Sequence, residues 1–183
     1  MSKAFLREDD LQEDSPPLPA YPAVPFGQKN FLTGSGATRL QAELAALAEK
    51  RAFLSARARD PEVRWEVQGI DHRIRHLRQS LRTAEVVPPE LEETDTVRFG
   101  ATVTVRDGHG ADARYRIVGV DETDFERGDV SWLSPMARAL LNATKGQHVR
   151  VKTPRGENDL EIVSIVYDPA PGPASDVQLR ETL

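Results

Sequence analysis

The sequence predicts an α+β protein: an N-terminal antiparallel coiled-coil hairpin of two helices, followed by a small antiparallel β domain carrying one short helix. Three observations predict it. Val63, Val67, Ile70, Ile74, Leu77, Leu81 and Ala84 step alternately by four and three residues, the a/d seam of a helix packed lengthwise on another helix. Upstream, Leu40, Leu44, Leu47 and Leu54 keep the same step, with Arg51 interrupting the seam. Beyond Pro88-Pro89 the apolar period changes to two, as in half-buried strands.

The two helices are joined through Arg57-Ala58-Arg59-Asp60-Pro61-Glu62, a connection short enough to force them antiparallel. Asp60 suits an N-cap, Pro61 the first helical position, and Glu62 the positive end of the helix dipole. Thr33 or Ser35 caps the first helix, which runs to about Ala58; the second runs from Pro61 to about Ala84. At 1.5 Å per residue the hairpin projects roughly 33–36 Å.

Before the hairpin, residues 1–30 place Glu8, Asp9, Asp10, Glu13 and Asp14 ahead of Pro16, Pro17, Pro19, Pro22 and Pro25. Such a composition predicts a disordered acidic, Pro-rich arm, with Tyr21, Val24 and Phe26 as its residues able to dock. The hairpin region spans 31–87, and Val86-Val87-Pro88-Pro89 ends it as a linker. The β domain spans 90–168. Val97, Phe99, Ala101, Val103 and Val105 alternate along one strand, Asp107-Gly108-His109-Gly110 turns the chain, and Tyr115, Ile117 and Gly119 alternate again. A short segment at Val130–Leu133 precedes Ser134-Pro135, a cap and first-turn pair opening a helix over Pro135–Asn142 that Lys145-Gly146 stops. Val149–Lys152 and Leu160–Tyr167 read as two further strands around the turn Thr153-Pro154-Arg155-Gly156, and residues 169–183 as a flexible tail.

Composition narrows the function. The chain of 183 residues has no cysteine, which excludes disulfides and thiolate metal sites. With no apolar run near the roughly 20 residues of a membrane helix and an acidic start unlike a signal peptide, a cytoplasmic protein is expected. The net charge of −5 is uneven: Arg39 to Glu85 holds 10 Lys/Arg against 7 Asp/Glu, and Glu90 to Asp168 holds 10 against 15. The hairpin can therefore face phosphate or an acidic cavity, although a solvated charged face explains the same count.

Catalytic motifs are missing. No P-loop or dinucleotide fingerprint occurs, and His72 and His76, though four apart, lie off the seam and read as surface histidines rather than metal ligands. Thr102, Thr104 and Ser131 lack a nucleophile's partnered base. Asp60 and Glu62 at the hairpin tip are the one carboxylate pair on a projecting element; they fit either a divalent cation at another protein's site or plain capping, and capping explains both. Arg75, Arg78 and Arg82, with Arg64 further towards the tip, form a stripe that suits a nucleic-acid backbone or ordinary solubilising charge. Trp132-Leu133-Ser134-Pro135-Met136 reads either as a partner-binding anchor or as a core plug.

The order of parts resembles a known family. Leu32-Thr33-Gly-Ser-Gly-Ala-Thr-Arg-Leu-Gln-Ala-Glu-Leu44, Ile70-Asp71-His72-Arg73-Ile74-Arg75-His76-Leu77 and Val97-Arg98-Phe99-Gly100-Ala101-Thr102-Val103 carry the resemblance, with Tyr115-Arg116-Ile117-Val118-Gly119 and Ser134-Pro135-Met136-Ala137-Arg138-Ala139-Leu140-Leu141. Over about residues 31–168 the chain is similar to the Gre transcript cleavage and elongation factors of bacterial RNA polymerase, on their GreB side. The resemblance implies an FKBP-like β domain that docks on the rim of the polymerase secondary channel through Leu133, Ser134, Pro135 and Met136. It implies a coiled coil that enters the channel as a monomer, with Arg64, Arg75, Arg78 and Arg82 facing transcript RNA. Asp60 and Glu62 would be the catalytic tip carboxylates, with no intrinsic metal and Mg2+ only as shared with the polymerase active site. By the same resemblance the chain is not itself an enzyme; at most it stimulates the polymerase's own cleavage of backtracked RNA.

This sequence departs from the family pattern at the tip. Its coiled coil is about two heptads shorter, which at seven residues per helix withdraws the tip by roughly 10 Å, and the family's carboxylate pair with Asn-Ala beside it is missing. Leu133 stands where relatives often carry a polar or acidic residue. A channel-occupying regulator or inhibitor without cleavage activity is therefore the alternative reading. A prolyl isomerase is a weaker one, because Phe99, Tyr115, Phe125, Trp132 and Tyr167 are few for an aromatic-lined pocket; a coiled-coil adaptor is the third.

Overall fold

A computed structural model describes residues 17–57, 60–88, 94–153 and 156–167. The tip residues Ala58 and Arg59, the turn residues Pro154 and Arg155, Pro89 of the linker, the acidic segment before Pro17 and the tail beyond Tyr167 lie outside the described residues.

The chain enters through a short strand, β1 (Asn30–Thr33), and passes into α1 (Gly34–Ser55). Asp60 then opens α2 (Pro61–Thr83), whose end at Ala84 has the extended ψ of 135° and leads directly into β2 (Ala84–Val87). β1 and β2 pair in parallel, Asn30 beside Ala84 through Thr33 beside Val87. The whole helical hairpin is thus the crossover connection that a parallel pair requires. The Ala84–Val87 segment, expected as helix end and linker, is a strand because Asn30 holds the last turn of α2: its amide donates to the Ser80 carbonyl at 3.0 Å and to Thr83 Oγ1 at 3.1 Å.

Along the hairpin the seam forms as the heptads dictate. Leu32, Ala37, Leu40 and Leu77 form one buried cluster near the base, with Leu44, Leu47, Leu81 and Ala84 against it. Leu54, Ile70 and Ile74 form a second towards the tip, flanked by Val63 and Val67. Arg51, which interrupts the apolar step, reaches across to Asp71 at 2.5 Å, so the break in the seam becomes an interhelical ion pair. Lys50–Glu66 at 2.7 Å and the two-pronged Arg73–Glu43 contact at 2.6 and 2.8 Å add two more.

The second part is a five-stranded sheet in the order β5-β4-β3-β7-β6, built from β3 (Ala101–Asp107), β4 (Asp112–Val118), β5 (Asp129–Ser131), β6 (His148–Thr153) and β7 (Gly156–Tyr167). The α+β class stands, but the sheet is mixed: β5 runs parallel to β4 while the other pairs are antiparallel. The reversal needed for a parallel neighbour is made by a 3₁₀ turn over Val120–Glu122 and the loop that follows. The core sits between one sheet face (Val103, Val105, Ile117, Val151, Ile162) and α3 (Pro135–Leu140), which contributes Ala137 and Leu140. α3 ends earlier than the expected Asn142: Asn142 adopts φ 66°, a left-handed conformation that Asn tolerates better than most residues, so the chain turns there rather than at Lys145-Gly146.

The Asp107–Ala111 turn has a pH signature. Asp107 Oδ1 accepts the amides of His109 and Ala111 at 2.9 Å each, holding its pKa below the ordinary 3.8, and Arg106 does the same for Asp112. Because the folded values are depressed, this support is complete above 3.8 and is lost as the pH falls through the lower folded values. Amide exchange at Ala111 is expected to accelerate, relative to the intrinsic rate, on acidification below 3.8, and Asp107→Ala to abolish that pH dependence.

Candidate functional site

Three surfaces carry the residues singled out in the sequence. At the hairpin tip, Asp60 is the N-cap of α2 and its Oδ1 accepts the Glu62 amide at 2.9 Å. Pro61 occupies the first turn, where its missing N–H costs nothing, and Glu62 is exposed beside the helix N-terminus. Arg57 and Arg64 are exposed on either side. Among the described residues no group of three or more His, Asp or Glu is arranged to hold a metal ion. Asp60→Ala is expected to lower hairpin stability by about 1 kcal/mol and Asp60→Ser to restore most of it, measured by chemical denaturation.

The second surface is the outer side of α2. Arg64, Arg75, Arg78 and Arg82 are all exposed and fall within one helical face, about a quarter turn from the seam. Arg82 donates to Gln79 Oε1 at 2.6 Å, whereas Arg64, Arg75 and Arg78 make no ion pair among the described residues.

The third is the loop leading into α3. Ser134 is the N-cap, its Oγ accepting the Ala137 amide at 3.1 Å, and Pro135 is exposed in the first turn. Leu133 is half-buried, its amide held by Ser131 Oγ at 3.2 Å, and Met136 packs on the β core. Trp132 takes the core reading: it lies against the β core, and its ring meets Phe31 of β1 at 5.1 Å, while Phe31 also meets Phe99 at 5.6 Å.

That contact belongs to a joint between hairpin and sheet that sequence reasoning missed. The first turn of α1 contains no acidic residue to answer its dipole. Glu122, only 2% exposed, supplies the charge from 89 residues away: its carboxylate accepts the Thr33 amide at 2.9 Å, the Gly119 amide at 3.0 Å and the Thr33 hydroxyl. Thr33 Oγ1 in turn caps the Gly36 amide at 2.9 Å. Beside it, Asp121 reaches the base of α2, with Oδ1 2.6 Å from His76 Nε2 and Oδ2 accepting the Ser80 hydroxyl. Arg39 donates to the Glu122 carbonyl at 3.2 Å and Arg116 to Ser35 Oγ at 3.1 Å. The histidines are therefore not free surface residues. His76 is held by Asp121, and Tyr21 of the expected disordered arm stacks on His72 and meets His76 at a tilt, with ring centroids at 5.3 and 4.9 Å, while lying 4.7 Å from the Arg73 guanidinium. An aromatic ring flanked by imidazoles and a cation makes Tyr21 the docking point of this Pro-rich segment.

Fold and site together define a two-part protein, a helical hairpin joined to a small mixed sheet, with no assembled catalytic set among the described residues. A family model described as "Transcription elongation factor, GreA/GreB, C-term" matches residues 92–167. Transcription elongation factor GreB of Neisseria meningitidis serogroup A is 38% identical over 154 aligned positions, covering 76% of this chain and 94% of that one. GreB of Pseudomonas aeruginosa is 39% identical, covering 77% and 92%. Among solved structures, a GreA/GreB elongation factor from Nitrosomonas europaea aligns at 25% identity with a TM-score of 0.39, over 76% of this chain and 99% of that chain. The chain belongs to the GreA/GreB family of transcription elongation factors, and is accordingly a factor rather than an enzyme.

Proposed function

We infer that this chain binds bacterial RNA polymerase at the rim of its secondary channel and modulates elongation by lodging the hairpin in that channel, without tip-directed RNA cleavage. One observation carries the last clause: the Asp60 carboxylate has a capping role of its own, its Oδ1 accepting the Glu62 amide at 2.9 Å at the start of α2. A second supports it. The 154-position alignment with the Neisseria factor uses 76% of 183 residues, about 139, so about 15 aligned positions have no counterpart in this chain, the number that losing one heptad from each helix would remove. At 22 and 23 residues the two helices extend about 33–35 Å. A carboxylate coordinates Mg2+ only at about 2.0–2.1 Å, so an arm shortened by one heptad, roughly 10 Å, delivers nothing to a metal its longer relatives would reach.

In this reading the chain acts as a monomer in the cytoplasm, the Leu133–Met136 loop docks on polymerase, and the arginine face of α2 follows the transcript. Mg2+ enters only as the polymerase's own ion. The second reading, stimulation of cleavage, draws on Glu62, whose side chain is exposed beside the helix N-terminus.

Equilibrium binding to polymerase core enzyme tests the docking step. A Leu133→Asp/Pro135→Ala variant is expected to bind at least about tenfold more weakly than wild type, since a charge in a desolvated contact costs upwards of 1.4 kcal/mol. Undiminished binding by a folded variant would remove the loop from the reading.

A further inference from the structure

We propose that a polar cavity on the β domain is a binding site for a diphosphate group, free or at the end of a nucleotide. The cavity, about 190 Å³, is lined by Thr102, Arg114, Arg116, Arg127 and Asp129. Strand register assembles it. Thr102 of β3 lies opposite Arg116 of β4, and Arg116 lies opposite Asp129 of β5, so the three side chains form a row across neighbouring strands. Arg114, two residues before Arg116, shares that face. Arg127 is brought in by the loop before β5, which is pressed onto β4: the Arg116 amide donates to the Gly128 carbonyl at 2.9 Å, and a Cβ at Gly128 would stand 2.5 Å from the Arg114 carbonyl oxygen.

The lining selects the ligand. No apolar side chain contributes, which excludes a hydrophobic guest. Three guanidiniums line it against one carboxylate; Arg116 is engaged by Ser35 Oγ, and Arg114 and Arg127 still outnumber Asp129, so the site repels cations and leaves a surplus positive charge for a multiply charged anion. Guanidinium forks match phosphate oxygens in pairs, which favours phosphate over a simple halide. Thr102 supplies an independent pointer: it is only 3% exposed, yet its Oγ1 has no hydrogen-bond partner among the described residues, an omission that buried hydroxyls rarely show. A phosphate oxygen in the cavity would take that proton. The volume equals about six waters, room for a diphosphate but not for a whole nucleotide, whose nucleoside would lie outside.

Isothermal titration of the full chain with inorganic diphosphate and with ADP, metal-free and at fixed ionic strength, tests the site. Saturable one-to-one binding of diphosphate is expected. Equal affinity for ADP would assign the site to the free anion, and tighter ADP binding to the nucleotide. Arg127→Ala should weaken binding at least about tenfold through a lost charge-assisted pair, and the isosteric Thr102→Val about threefold through one lost hydrogen bond. Arg150→Ala, an exposed arginine on β6, is the control for general charge and should leave binding unchanged. Absent saturation, or equal loss in the Arg127→Ala and Arg150→Ala variants, overturns the proposal. Neither result depends on polymerase binding.

Discussion

Replacing Glu122 by alanine is expected to destabilise this protein more than any surface change, by about 3–5 kcal/mol. The carboxylate is buried and answers three donors, the Thr33 amide, the Gly119 amide and the Thr33 hydroxyl. Alanine leaves two amides without water or partner, at about 1–3 kcal/mol each, and removes the charge that complements the N-terminus of α1. Glu122→Gln keeps the shape and one acceptor, so its loss should be intermediate. For a domain of this size a loss of 3 kcal/mol lowers the melting temperature by about 6–12 °C. Because these bonds join the hairpin to the sheet, the alanine variant should also split one cooperative unfolding transition into two. A shift below about 1 °C with a single transition would show that the joint contributes little.

Two glycine-to-alanine substitutions are expected to act with opposite sign. Gly119 has φ −65°, a conformation any residue adopts, so alanine brings no backbone strain there. Its Cβ, however, would stand 2.2 Å from the Phe31 carbonyl oxygen and 2.8 Å from Glu122 Oε2. The Phe31 oxygen belongs to backbone and cannot swing aside, so β1 must move off the 3₁₀ turn, at a cost of about 2–3 kcal/mol or more. Gly69, in the interior of α2, has nothing within 4 Å of an added Cβ, and Gly69→Ala should stabilise the protein by up to about 1 kcal/mol through helix propensity. Denaturant midpoints for both variants check the pair. Destabilisation by Gly69→Ala would show a contact on that face which the fold does not contain.

The hairpin was legible in the sequence because its signal is periodic and local: leucines and isoleucines at heptad spacing, a cap at Asp60 and a proline after it. The alternating strands and the Ser134-Pro135 start of α3 were legible for the same reason. What escaped depended on pairings distant in sequence. β1 and β2 are four residues each, too short for a pattern, and exist because Asn30 grips the end of α2 fifty residues later. Glu122 looked like one acid among many in an acidic half; the only clue was an α1 first turn without a carboxylate of its own. His72 and His76 read as surface residues until Tyr21 and Asp121 covered them. Of the candidate sites, sequence reasoning located the tip, the basic face and the α3 loop, while the structure adds the joint that fixes how they are held together.

Transcript cleavage in a stalled, backtracked polymerase complex, with wild-type protein against the Asp60→Ala/Glu62→Ala variant, decides whether the hairpin tip takes part in cleavage. Both are expected to bind the polymerase, and neither to raise the rate of RNA cleavage above the polymerase's own. Cleavage stimulated by wild type and lost in the double variant would contradict that expectation, and would show that the short hairpin still delivers its carboxylates.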